Sequence, residues 1–115
     1  MKLEREMMRG TGPTAVLKLL SAGEKYGYEL VEALNQQTNG VLAMGQSTLY
    51  PLLYNLEAKG LVKARLDDSG PRQRRYYRLT AKGERQLAVD VKQWRALFEA
   101  MQSLGVASRT SGGTA

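Results

Sequence analysis

The sequence predicts a mainly α-helical domain carrying one small β-hairpin, and three observations predict it. Apolar residues recur at helical spacing through the first sixty residues. The period then falls to two between Leu61 and Thr80, and it returns to steps of 4, 3, 4 and 3 from Leu87 to Met101.

Taken in order, the first helix is expected from Thr11-Gly12-Pro13, a capping residue with an early proline. It runs through Val16, Leu17 and Leu20 to a stop at Ser21-Ala22-Gly23. Leu3 and Met7, four apart, suggest a short amphipathic lead-in ahead of it. The second helix covers residues 26–38, with Leu30, Val31 and Leu34 on one stripe and Asn39-Gly40 as its stop. The third begins near Ser47, because Pro51 lacks an N–H and is best tolerated in a first turn. Its inward stripe is Leu49, Leu52, Leu53 and Leu56. Ser47, Pro51, Tyr54 and Ala58 point the opposite way, Tyr50 and Asn55 lie on the flanks, and Gly60 ends it.

Two strands follow, residues 61–67 and 75–80. The second alternates Tyr77 and Leu79 on one side with Tyr76 and Arg78 on the other. Ser69-Gly70-Pro71-Arg72-Gln73-Arg74 joins them as a hairpin tip, and Thr80 caps a long last helix. Residues 105–115 are rich in Gly, Ser, Thr and Ala, which predicts a disordered tail. Three helices followed by a hairpin describe a winged helix-turn-helix. Its DNA-binding domain spans residues 1–80 and its dimerisation helix residues 81–104. In such a fold the third helix enters the major groove and the hairpin touches the backbone or the minor groove.

Composition narrows the function further. The 115 residues suffice for one domain and include neither Cys nor His. The chain therefore has no disulfide, no thiolate or imidazole for catalysis and none of the usual zinc ligand sets. No catalytic residue, cofactor or metal site is assigned. The longest apolar run, Val41-Leu42-Ala43-Met44, is too short to span a membrane, and the charged start Lys2-Leu3-Glu4-Arg5-Glu6 does not read as a signal peptide. A cytoplasmic protein is expected. The net charge of +6 is unevenly placed: residues 59–85 hold nine basic and three acidic side chains, and the rest of the chain holds eight of each. Beside a Gly-Pro turn this is the footprint of a polyanion-binding surface.

The residues also carry a resemblance. Tyr26-Gly27-Tyr28-Glu29-Leu30 is one part of it. Ser47-Thr48-Leu49-Tyr50-Pro51-Leu52-Leu53, with Leu56-Glu57-Ala58-Lys59-Gly60-Leu61-Val62, is another. The third is Gly70-Pro71-Arg72-Gln73-Arg74-Arg75-Tyr76-Tyr77-Arg78-Leu79-Thr80-Ala81-Lys82-Gly83. Together they resemble the PadR family of bacterial transcriptional regulators, in its order and spacing, from about Leu3 to about Leu104. The resemblance implies a homodimeric repressor on an inverted-repeat operator in double-stranded DNA, released by a small molecule. The single helix after the wing is similar to the compact subfamily. Many relatives have Arg where this chain has Asn55. Asn pairs with adenine and Arg prefers guanine or phosphate, so a different operator is expected.

The DNA-binding set expected on these grounds is Gln46, Ser47, Thr48, Tyr50, Tyr54, Asn55 and Lys59 on the third helix, with Arg72, Arg74 and Arg75 on the wing. Ser47 is expected both to cap the helix and to face the groove. Tyr54 reads as a groove or phosphate contact. Geometry leaves Tyr50 open between packing on the second helix and touching DNA, and the resemblance favours DNA. Tyr77 and Leu79 read as core, and Tyr26 and Tyr28 as scaffold. Asp67 or Asp68 is expected to pair with one wing arginine.

The dimer interface is expected at Leu87, Val91, Trp94, Phe98 and Met101, with Leu3 and Met7 clasping the partner's last helix. Trp94 has two readings, interface packing or one wall of a cavity that sandwiches a planar aromatic or phenolic effector. In compact relatives the matching tryptophan lines a central pore that takes planar compounds. The alternative function is a winged-helix adaptor for protein or RNA without operator specificity. RNA readers usually display aromatics on a sheet, and the hairpin offers mainly arginine.

Overall fold

The computed structural model describes residues 1–107. Among these, the order is α1 (Arg5–Leu20), β1 (Lys25–Tyr26), α2 (Gly27–Gln37), α3 (Gln46–Ala58), β2 (Val62–Asp67), β3 (Arg74–Leu79) and α4 (Ala81–Ser103). The strands form one antiparallel sheet ordered β1-β3-β2, with Ala64 opposite Tyr77 and Tyr26 opposite Tyr76. Three helices and this sheet enclose a single core. Its most buried side chains include Val16, Leu17, Leu30, Leu34, Leu49, Leu53 and Tyr77. The fold is a winged helix with a long terminal helix, and its extents of 55 × 28 × 23 Å reflect α4 projecting from the domain.

Four expectations change. First, α1 is one continuous helix from Arg5, and Thr11-Gly12-Pro13 lies inside it. The Gly-Pro pair removes one N–H and reads locally as a break. Met8, Gly12 and Val16 nevertheless lie one turn apart on the buried face, so tertiary packing overrides that signal. Second, β1 takes Lys25 from an expected loop and Tyr26 from the expected start of the second helix; its two residues add an edge to β3. Third, Gly45 rather than Ser47 is the N-cap of α3, and Ser47 becomes an exposed helical residue. Fourth, Gly105 and Val106, placed in the expected tail, donate to the Gln102 and Met101 carbonyls and close α4 in a Schellman turn. The remainder of that tail from residue 108 lies outside the described residues.

The junction between α3, the sheet and α4 is unusually tight. The Leu61 carbonyl accepts the Thr80 N–H at 3.1 Å, and a Cβ built on Gly83 would lie 2.0 Å from the same oxygen. No side chain fits at that position. The Thr80 hydroxyl donates to the Gly60 carbonyl and accepts the Gly83 N–H, as expected of the cap. Lys82 adds a bond to the Lys59 carbonyl at 2.8 Å, which satisfies one orphan oxygen at the end of α3.

Candidate nucleic-acid interface

The leucine stripe of α3 decides which face of that helix meets solvent. Leu49, Leu53 and Leu56 are buried, so Gln46, Ser47, Thr48, Tyr54, Asn55 and Lys59 are left exposed. Tyr54 is 53% exposed. Tyr50 is half-buried, because its ring lies over Gly27 at the start of α2; a Cβ there would meet the Tyr50 hydroxyl at 2.5 Å. Packing on α2 is thus a role of Tyr50. Its ring also stacks with Tyr54 at a centroid distance of 6.3 Å, so it props the exposed tyrosine from behind. Tyr26 N–H donates to the Glu29 carboxylate at 3.0 Å and fixes the start of α2 under this pair.

The three wing arginines have three different surroundings. Arg72 is exposed and lies in neither ion pair among the described residues. Arg74 stacks on the Tyr26 ring, 4.7 Å from its centroid, and keeps its edge to solvent. Arg75 turns inward. Its Nη2 donates to the Glu57 carboxylate on α3 at 3.1 Å and its Nε donates to the Tyr77 hydroxyl at 3.0 Å. The expectation of a free wing contact is corrected for Arg75. Strand parity puts residues 75 and 77 on one side of β3, toward α3, so its guanidinium ties the wing to that helix. The Glu57 hydrogen bond, followed by that of Tyr77, raises its pKa, while burial raises that of Tyr77.

The expected pairing of Asp67 or Asp68 with an arginine is corrected as well. Asp67 accepts the Ser69 N–H at 2.9 Å and the Ser69 hydroxyl at 2.6 Å, and that hydroxyl holds its carboxyl below the usual range. Asp68 accepts from the Gln73 amide at 2.7 Å. The acids shape the hairpin tip and leave Arg72 and Arg74 outside the ion pairs of the described residues, although Asp67 stands opposite Arg74 across the hairpin. Besides Arg75, the arginine that finds a carboxylate is Arg65, bidentate to Glu24 at 2.8 and 2.6 Å. It also stacks on Tyr76 at 4.7 Å. Sequence reasoning missed this pair because Glu24 reaches β2 only through β1.

A second omission lies on the other flank of α3. Thr48, Asn55 and Lys59 border an open groove of about 910 Å³ whose far wall is α1, with Lys2, Arg5 and Arg9 on its rim. Spacing along α1 marks these cations as a solvated face; only the packing of α1 against α3 brings them beside the exposed residues.

The expected dimer seam divides in two. Leu87 is 9% exposed and Val91 packs against the same core, so both belong to their own domain. Leu3 also packs on that core, and its N–H donates to the Val41 carbonyl at 3.0 Å. Leu87 is thus corrected as an interface residue, because its own domain covers it, while Leu3 and Val91 are half-buried against that domain and keep part of their surface open. Beyond Val91 the stripe is bare: Trp94, Leu97, Phe98 and Met101 on α4 and Met7 on α1 are at least 38% exposed. Leu97, missed in the sequence, joins Trp94 and Met7 around a groove of about 340 Å³ between α1 and α4.

Comparison with known proteins matches residues 16–89 to the model described as the transcriptional regulator PadR-like family. A PadR family transcriptional regulator from Eggerthella lenta is 37% identical. The match covers 86% of this chain and 85% of that one, with a TM-score of 0.75. A transcriptional regulator from Clostridium thermocellum is 26% identical over 88% of this chain and 96% of its own, at a TM-score of 0.79. Bacillus subtilis PadR, solved in complex with operator DNA, is 26% identical with a TM-score of 0.64. That match covers 69% of this chain and 45% of the longer protein.

Proposed function

The chain belongs to the PadR-like family of transcriptional regulators, and from that premise we propose that it is a homodimeric repressor that binds an inverted-repeat operator in duplex DNA. One observation carries the reading. The exposed face of α3, bearing Ser47, Thr48, Tyr54 and Asn55, lies beside a wing whose Arg72 and Arg74 are exposed and outside the ion pairs of the described residues, and whose Arg75 is tied to that same helix. Such a helix reads base edges while the wing holds phosphate or the minor groove. Tyr54 sits on the groove side, with Tyr50 as its support. Gln46 and Lys59 mark the two ends of the face. The related complex with operator DNA supports the choice of partner.

The adaptor reading finds less support. Tyr26 and Tyr76 do share a sheet face, yet Arg74 and Arg65 already cover their rings, so that face offers RNA bases no bare pair of rings to stack on. No helix among the described residues is long and apolar enough to cross a membrane, and a regulator of this kind acts in the cytoplasm.

Dimerisation is supported by the bare stripe of Trp94, Leu97, Phe98 and Met101, too large a run of apolar side chains to leave to water. A two-fold axis through that stripe brings each Trp94 near its copy. Paired indoles then form a slot for a planar aromatic or phenolic effector, whose binding retilts the heads and lowers DNA affinity.

The test is selection of duplexes from a random pool, followed by titration of the winner, an unrelated duplex and an RNA of the same sequence. The winner should bind at least a thousandfold tighter than the unrelated duplex, and Tyr54→Ala or Asn55→Ala should erode that ratio. Equal binding to all three would overturn the reading.

A further inference from the structure

A helix about 10–12 Å across that lies in a major groove about 12 Å wide has a sugar–phosphate strand on each side. The wing serves only one of those sides. On the other, the rim of the groove between α1 and α3 carries Lys2, Arg5, Arg9 and Lys59 with no carboxylate in its lining. None of the four takes part in either ion pair among the described residues. Of the nearby acids, Glu4 does not line the groove, Glu6 faces the α4 side of α1, and Glu57 is committed to Arg75 on the wing flank. The rim is also rigidly set. Gly12 of α1 faces the Leu52 side chain of α3 closely enough that an added Cβ would lie 3.1 Å away, and Leu3 is pinned to Val41.

We propose that α1 and the residues leading into it supply a second phosphate-binding strip, in which Lys2, Arg5 and Arg9 grip the DNA strand running along the flank of α3 opposite the wing. The proposal rests on the reading that α3 enters the major groove, and it adds a segment that the charge count along the chain had scored as neutral. There Lys2, Arg5 and Arg9 are offset by acids, Glu4 and Glu6 among them, that do not line the groove. Held between two cationic rails, α3 is fixed laterally in the groove, so register comes from both flanks and base choice from the face between them.

The experiment measures anisotropy of a labelled mixed-sequence duplex of about thirty base pairs across salt from about 50 to 200 mM. Arg5→Gln/Arg9→Gln should lower the slope of log affinity against log salt by about 2 per protomer, hence by about 4 for a bound dimer, at roughly 0.9 per phosphate lost. Arg72→Gln/Arg74→Gln on the wing should do the same. Arg5→Lys/Arg9→Lys should restore the slope, because only charge is required. If the wing pair weakens binding while the α1 pair behaves as wild type, the strip is disproved and the winged-helix reading survives. If neither pair changes the slope, both fall. A loss that the lysine pair does not restore is a packing effect and also overturns the strip. Both residues are exposed, and a melting curve for each variant confirms that the fold is intact.

Discussion

The two halves of α4 share one apolar rhythm and live in different surroundings. The first half is welded to the domain. Thr80 caps it, Gly83 lies against the Leu61 carbonyl, Leu87 enters the core, and Asp90 accepts the Thr14 hydroxyl of α1 at 3.0 Å. The second half carries Trp94, Leu97, Phe98 and Met101 into open solvent. Periodicity shows that a helix has an apolar side. It does not show what covers that side, because the step from Leu87 to Val91 looks no different from the step from Trp94 to Phe98.

The contrast breaks most readily at the weld. Gly83→Ala forces a methyl group into the Leu61 carbonyl and should cost at least about 3 kcal/mol, read by urea denaturation; a loss under about 1 kcal/mol would show that the junction yields. Leu87→Ala, which empties a core site, should cost about 2–5 kcal/mol. Phe98→Asp tests the other half. It should leave the secondary structure intact by circular dichroism and weaken self-association by about 2 kcal/mol or more per protomer. Sedimentation would then shift from about 25 kDa, twice the 12.7 kDa chain, toward the monomer. If Leu87→Ala and Phe98→Asp gave the same phenotype, the division of α4 would be wrong.

Smaller effects sharpen the picture at the wing. Glu57→Gln cuts a partly exposed pair and should cost under about 1 kcal/mol of stability, yet it should weaken DNA binding about fivefold, a loss of about 1 kcal/mol. Arg75 would then be a positioning residue, with a salt slope unchanged from wild type. The smallest effect is acid-dependent. The Arg65 hydrogen bond holds the Glu24 carboxyl below its ordinary range, so this contribution is present above the ordinary carboxylate pKa and fades as pH falls through the lowered value. Both groups are solvated. Glu24→Gln should therefore flatten only a shallow acid limb in a plot of melting temperature against pH.

Much of this was legible in the residues. The period change at residue 61 located the wing, and the leucine stripe of α3 identified its solvent face. Alternation along β3 put Tyr77 in the core; the same parity applied to Arg75 would have revealed its inward turn. Other features were illegible for a physical reason. Continuity of α1 depends on burial that a local Gly-Pro signal does not contain. The two-residue β1 has no periodicity of its own. Tyr50 over Gly27, Arg65 on Glu24 and the α1 cations beside Asn55 are products of topology, and no spacing along the chain encodes them.

The weld around Leu61 has a mechanical consequence. With the start of α4 unable to swivel on the domain, its 23 residues act as a rigid lever about 35 Å long. Each degree of rotation at the outer end displaces the reading head by about 0.6 Å, on the basis of that length. Two levers hinged together at their outer ends would therefore convert an ångström-scale wedge between the indoles into several ångströms at the half-sites. In the proposed dimer, gear ratio rather than contact strength would then set how small the proposed effector can be and still act.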